Sequence, residues 1–141
     1  MRRVYIASPF RGATPEQTRQ NIIYARLCML DSLANGEAPY LSHLLYTQVW
    51  DERNRDLGLM AGDAWRSAAD GIALYVDLGV TPGMERAVAA QLPKQSLERR
   101  NVHWRDAGAL EPLYTIAAWR EQLGYLGLKT FPELDPLGGF R

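Results

Sequence analysis

A chain of 141 residues, 47% hydrophobic and 23% charged, has the size and composition of one globular domain rather than of a disordered segment. Its 16 Lys and Arg balance its 16 Asp and Glu, so no global field recruits a nucleic-acid polymer or an anionic membrane surface. No run approaches the roughly 18 apolar residues of a membrane span, and the basic start Met1-Arg2-Arg3 leads into only a short apolar stretch, so a cytoplasmic protein without leader or anchor is expected.

Arg3-Val4-Tyr5-Ile6-Ala7 is short, apolar and rich in β-formers, which predicts a buried strand, and Ser8-Pro9-Phe10-Arg11-Gly12 breaks it into a loop. Thr14-Pro15-Glu16-Gln17 carries the signature of a helix start: Thr14 as N-cap, Pro15 at the first helical position and Gln17 placed for a capping box. Along that helix Ile23, Leu27, Leu30 and Ala34 share one face, and Asn35-Gly36 supplies a left-handed stop. Cys28 allows no internal disulfide and reads as a small apolar helix residue.

Ala38 to Leu41 predicts a second strand ending at Ser42-His43. The polar run Asp51 to Asp56 then leads into helical residues from Leu57 to Ala69. Ile72 to Val76 is the clearest strand, closed by Asp77-Leu78-Gly79 and followed by a helix opening at Thr81-Pro82 and running to about Gln91. Asn101 to Trp104 alternates polar and apolar residues as an edge strand does. Strands alternating with helices predict an α/β domain, a Rossmann-like parallel sheet of four to five strands over residues 1–105. Residues 106–141 read as an appended C-terminal extension of the same domain, with an amphipathic helix over Leu110 to Leu126 and an irregular tail.

In an open parallel sheet the ligand crevice lies beyond the carboxyl ends of the strands. The residues there are Ser8, Phe10, Arg11 and Gly12 after the first strand, His43 after the second, and Asp77, Gly79, Thr81, Gly83 and Met84 after the third. Hydroxyls, an arginine and glycines beside helix starts suit a small anion, because the first turn of a helix offers unpaired N–H groups and a positive dipole end. A plain alternative stands beside this: Thr81 only as N-cap and Gly83 only as spacer. Phe10, Tyr46 and Trp65 are candidates to stack on a base, or else core aromatics. His43 sits among polar residues and is assigned to the site, whereas His103 and Trp104 are assigned to packing or an interface. Two distant histidines and one cysteine make no metal cluster, and no cofactor is indicated.

The opening VYIASPFRG, the helix with Asn21-Ile22 and Ala25, the SHLLY segment and the block ADGIALYVDLGVTPGMERAVAA together resemble the nucleoside 2-deoxyribosyltransferase superfamily over roughly residues 3 to 105. They resemble most its 2′-deoxynucleoside 5′-monophosphate N-glycosidase branch and short phage and bacterial members of unassigned role. The resemblance implies a small, commonly dimeric α/β protein that cleaves an N-glycosidic bond and passes the sugar to water or to another base. It places Ser8, Arg11 and Gly12 against sugar and phosphate, Thr81 on the 5′-phosphate and His43 near the base.

Cleavage in that superfamily uses a glutamate nucleophile assisted by an aspartate, the logic of retaining glycosidases. Counted from Gly83 the glutamate position is filled by Ala87, and Glu85 stands two residues early, about 200° around the helix. Glu85 as nucleophile with Asp63 or Asp77 as acid is therefore one reading. Glu85 as a first-turn acid, Asp63 as a solvated helix residue and Asp77 as a turn former are the other. Three functions follow: a nucleotide-binding N-glycosidase or deoxyribosyltransferase, expected as a homodimer; a non-catalytic nucleotide-binding or sequestering protein, favoured by Ala87; and a protein-interaction module using the C-terminal extension.

Overall fold

The computed structural model describes residues 1–49, 52–102, 134–135 and 139–140. Four strands, β1 (Arg3–Ala7), β2 (Ala38–Tyr40), β3 (Gly71–Tyr75) and β4 (Ser96–Arg100), form one all-parallel sheet in the order β2-β1-β3-β4. Three helices, α1 (Pro15–Ala34), α2 (Arg55–Ala68) and α3 (Pro82–Ala89), connect them, giving a Rossmann-like α/β arrangement. Three short 3-10 turns, Ser42–Leu44, Tyr46–Gln48 and Glu52–Asn54, lead from β2 into α2. Two-residue strands β5 (Leu134–Asp135) and β6 (Gly139–Phe140) pair antiparallel. The expected helix over Leu110 to Leu126, and the packing roles of His103 and Trp104, lie outside the described residues. Among the described residues no helix is long and apolar enough to cross a membrane.

The chain moves from β1 outward to β2, then crosses back beyond β1 to β3 and on to β4. The direction of winding therefore reverses between β1 and β3, which is where an open α/β sheet leaves a crevice at its carboxyl edge. Both faces of this centre are covered. Val4, Ile6, Ala73 and Tyr75 pack with Tyr24, Ala25 and Cys28 of α1, while Ala7, Ile72 and Leu74 pack with Met84 and Ala87 of α3. All five residues of β3 are buried, as a central parallel strand requires.

Local signals shaped the helix ends as read from the sequence. Thr14 Oγ1 accepts from Gln17 N at 3.2 Å, and Gln17 Oε1 reaches back to Ala13 N at 2.8 Å, one residue before the N-cap amide a strict capping box would use. Gly36 takes φ +75° to end the α1 segment.

Two expectations are corrected. The buried face of α1 is Tyr24, Ala25, Cys28, Asp31 and Ser32, while Leu27 and Leu30 are only partly buried and Ala34 is exposed. Polar residues can sit there because each is satisfied: Tyr75 Oη donates to Asp31 Oδ2 at 2.6 Å, and Ser32 Oγ donates to Glu37 Oε2 at 2.7 Å. The fourth strand is Ser96–Arg100, with Asn101 and Val102 beyond its end; the expected edge strand from Asn101 to Trp104 falls partly on His103 and Trp104, outside the described residues. Two of the charged side chains of Ser96–Arg100 are paired in place, Arg100 with Glu37 and Glu98, and Glu98 also with Arg2, while Arg99 is exposed. Asn101 and Val102 instead leave the strand and bind Asp77.

Candidate functional site

A cleft of about 630 Å³ opens at the carboxyl edge of the sheet, over the crossover between β1 and β3. Four segments line it: the end of β1 and its loop (Tyr5 to Ser8, Phe10, Arg11), the turns after β2 (Ser42, His43, Tyr46, Thr47), one side of α2 (Arg55, Gly58, Leu59, Gly62, Asp63), and the start of α3 (Thr81 to Met84, Arg86, Ala87).

The β1 loop is held against α1 by backbone-directed bonds: Gly12 N donates to Thr18 Oγ1 at 3.0 Å, and Asn21 Nδ2 donates to the Phe10 carbonyl at 3.0 Å. Gly12 does not line the cleft; it lets the loop approach the helix, since a Cβ there would lie 2.3 Å from Gln17 Cβ. The loop so placed presents Phe10 to His43, with ring centroids 5.0 Å apart and planes at 22°. Ser8 Oγ lies 3.5 Å from His43 Nε2, a long contact that orients more than it binds. Burial pushes the His43 imidazole well below its ordinary pKa, so the ring is neutral at pH 7 and offers one donor and one acceptor to whatever enters.

On the opposite wall, α2 approaches the turn after β2 through Gly62, where a Cβ would stand 3.1 Å from Ser42 Cβ. At the start of α3, Thr81 Oγ1 accepts from Met84 N at 3.3 Å, and Met84 Sδ accepts from Thr81 N at 3.4 Å. Pro82 has no N–H and the Met84 and Glu85 amides bond to Thr81, so Gly83, which lines the cleft, carries the remaining first-turn N–H. Thr81 is thus both an N-cap and a cleft residue.

Eight of the residues singled out in the sequence come together on the cleft: Ser8, Phe10, Arg11, His43, Asp63, Thr81, Gly83 and Met84. Four do not. Gly12 shapes the loop, and Gly79 has φ +88° in the turn after β3. Glu85 is exposed and lies off the cleft, while Met84 and Ala87 turn inward, at 2% and 9% exposure. This follows from helical geometry: Met84 and Ala87, three apart, share the inward face, and Glu85, about 100° on from Met84, lies off it. Asp77 is a latch rather than a cleft group. Its Oδ2 accepts from Tyr24 Oη at 2.5 Å and Val102 N at 3.0 Å, and its Oδ1 from Asn101 Nδ2 at 3.1 Å. Burial pushes its pKa up, but these donors outweigh burial and hold the carboxyl below its ordinary value. Of the candidate stacking aromatics, Tyr46 lines the cleft. Trp65 stacks instead on Tyr40, centroids 5.5 Å apart.

Sequence reading missed Arg55 and Arg86. Both line the cleft, and among the described residues neither has an ion-pair partner. Arg86 could have been found by the i, i+3 spacing from Gly83 at the helix start; Arg55 lies in a polar run that carries no such signal. Among the described residues no three His, Cys, Asp or Glu side chains converge as a metal ion needs.

A family model described as Domain of unknown function (DUF7768) matches residues 2–99. The chain belongs to the DUF7768 family. Every described residue that lines the cleft falls inside the DUF7768 match, as do all four strands of the main sheet except the last residue of β4. No curated protein and no solved structure matched the chain.

Proposed function

We propose that this DUF7768 protein binds a nucleoside 5′-monophosphate or a related phosphate-bearing nucleotide in the cleft, in the cytoplasm and as a homodimer. The observation that carries the reading is the charge of the cleft in a chain of zero net charge: among the described residues Arg55 and Arg86 line it without an ion-pair partner, against one lining carboxylate, Asp63. Phosphate belongs at the start of α3, where the Thr81 hydroxyl, the Gly83 N–H and the helix dipole converge, with an arginine adding a charge-assisted pair. Phe10, His43 and Tyr46 form the wall suited to a base, aromatic faces beside a neutral imidazole. The resemblance to nucleoside 2-deoxyribosyltransferases supports the same placement, because its Ser8, Arg11 and Thr81 all border this cleft. Exposed Leu57, Met60 and Trp65 on α2 support the homodimer.

Cleavage of the N-glycosidic bond is the second reading, and Asp63 is the observation that favours it. Its carboxylate lines the cleft with a side chain 68% exposed. A retaining mechanism asks for two carboxylates about 5 Å apart. Ala87 occupies the inward position where the resembling superfamily carries its glutamate, and Glu85 points elsewhere. Binding without cleavage therefore ranks first.

The test is calorimetric titration with ribo- and deoxynucleosides and their 5′-monophosphates, followed by chromatography of each mixture for free base. A monophosphate binding at least tenfold tighter than its nucleoside, with no base released, is the expected result. Equal affinity for both, or no binding by either, overturns the reading. Base release abolished by Asp63→Asn moves the conclusion to the glycosidase. Light scattering of the same samples reads the homodimer.

A further inference from the structure

We infer that two copies of this chain join through the outward face of α2, helix against helix and antiparallel, about a two-fold axis. The inference rests on the homodimer reading and deepens it by assigning the face, the segment that covers it and the symmetry.

The amphipathicity of α2 is inverted. At about 100° per residue, Leu57, Met60, Ala61, Ala64, Trp65 and Ala68 fall within roughly 140° of the helix circumference, and the charged residues Arg55, Asp56, Asp63 and Arg66 fall within roughly 100° on the other side. A surface helix of a self-sufficient domain turns its apolar stripe toward the core. In α2 three of the charged residues are turned toward the body instead: Arg66 is buried and donates to the Ala90 carbonyl at 2.6 Å, while Arg55 and Asp63 line the cleft. The apolar stripe faces out, with Leu57 at 58%, Met60 at 67% and Trp65 at 56% exposure, Ala64 and Ala68 exposed and Ala61 half-buried. The polar side of the helix serves the cleft, and its apolar side is left for another surface.

The order of side-chain sizes along the stripe selects a second copy as the occupant. Its first half carries large residues, Leu57 and Met60, and its second half small ones, Ala64 and Ala68. Two copies laid antiparallel set Leu57 of each against Ala68 of the other, and Met60 against Ala64, so large meets small at both ends of an isologous contact. A parallel pair would set Leu57 against Leu57 and leave the alanines apart. The stripe carries no charge, so like charges do not meet on the axis, and it offers no cation to a polyanion or an anionic lipid surface. Its exposed side chains leave roughly 450 Å² of apolar surface per copy, and pairing buries about twice that, close to the roughly 1,000 Å² at which a specific interface begins before its polar rim is added.

Sedimentation velocity of the full chain over a wide range of concentration is expected to show a reversible dimer. Ala64→Glu puts a charge at the centre of the stripe, in solvent in the monomer, and is expected to raise the dissociation constant at least tenfold. Leu33→Glu, at an exposed position of α1, should leave it within about twofold, and circular dichroism confirms that both variants fold. Orientation is read without a charge substitution, by oxidising single Ala61→Cys and Ala68→Cys variants with copper phenanthroline; the native Cys28 is buried. In the antiparallel pair the two copies of residue 61 lie beside the axis within disulfide reach, while the two copies of residue 68 lie roughly 17 Å apart along the helices, so cross-linking at 61 and not at 68 is expected. A dimer that survives Ala64→Glu, that Leu33→Glu dissociates as readily, or that cross-links at both positions or at neither overturns the inference and leaves the homodimer reading standing. A chain that is monomeric at every concentration overturns both.

Discussion

Replacing Glu37 by Gln tests whether the polar network beneath α1 holds the fold. Glu37 is 6% exposed and its two oxygens are fully engaged. Oε2 accepts from Arg100 Nη1 and from Ser32 Oγ, both at 2.7 Å; Oε1 accepts from Arg100 Nη2 at 2.8 Å and from Arg2 Nη1 at 3.2 Å. Glutamine keeps the shape but removes the charge, and it turns an NH₂ toward a guanidinium that can only donate. Breaking a buried pair by removing one partner costs about 3–5 kcal/mol. Arg100 and Arg2 both retain Glu98, so the lower end applies, about 3 kcal/mol, or a fall in melting temperature of roughly 10 °C for a domain of this size. The acid limb gives an independent reading. Bonding to Arg100, more than the opposing effect of burial, lowers the Glu37 pKa from its ordinary value. Its stabilisation is therefore complete above the unfolded value of about 4.3 and is lost as pH falls through the lower folded value. Urea denaturation at pH 7 and at pH 3 measures both. A loss below about 1 kcal/mol at pH 7, or a variant whose stability falls with acid as steeply as the parent's, would refute the argument.

Gly12→Ala should destabilise by about 1–3 kcal/mol and weaken ligand binding, because the new Cβ collides with Gln17 and shifts the loop that carries Phe10 and Arg11; an unchanged thermal melt contradicts this. Tyr24→Phe removes a hydroxyl that donates to Asp77 Oδ2 at 2.5 Å and accepts from Asp77 N at 3.1 Å. A loss of about 1–3 kcal/mol and faster hydrogen exchange at the Asp77 amide are expected, and unaltered exchange would show that the latch does not constrain the end of β3. The His43 imidazole, held below its ordinary pKa by burial, should remain neutral in NMR titration well below pH 6. Since the unfolded histidine takes up its proton near 6.5, this group's contribution to stability is present above that pH and declines below it; a His43 titration near 6.5 in the folded protein would remove the effect and refute the argument.

The loop after β1 and the helix start of α3 were readable because each depends on neighbours in sequence. Thr81 and Pro82 declare a helix end whatever surrounds them, and Ser8 through Arg11 follow a strand whose apolar run is continuous. The cationic pair Arg55 and Arg86 was not readable: one residue opens α2 and the other lies a turn inside α3, and only the crossover of the sheet brings the two helices to one cleft. Glu85 illustrates the same limit from the other side. Its residue type suits catalysis, but the direction of its side chain depends on where α3 begins and on Met84 and Ala87 being the residues that pack inward.

What the amino-acid sequence determined by itself was the alternation of strand and helix, the positions of Thr14, Gly36 and Thr81 at element ends, and hence a parallel α/β domain. These rest on backbone preferences and hydrogen bonds that close within four residues. Tertiary structure decided which face of α1 is buried, where the charged fourth strand runs, and which charges share the cleft. Asp31 is in the core because Tyr75 donates to it, and Arg100 is in a strand because Glu37, 63 residues away, accepts from it. Partners brought together by folding alone make such polar burial favourable, and no local pattern encodes them.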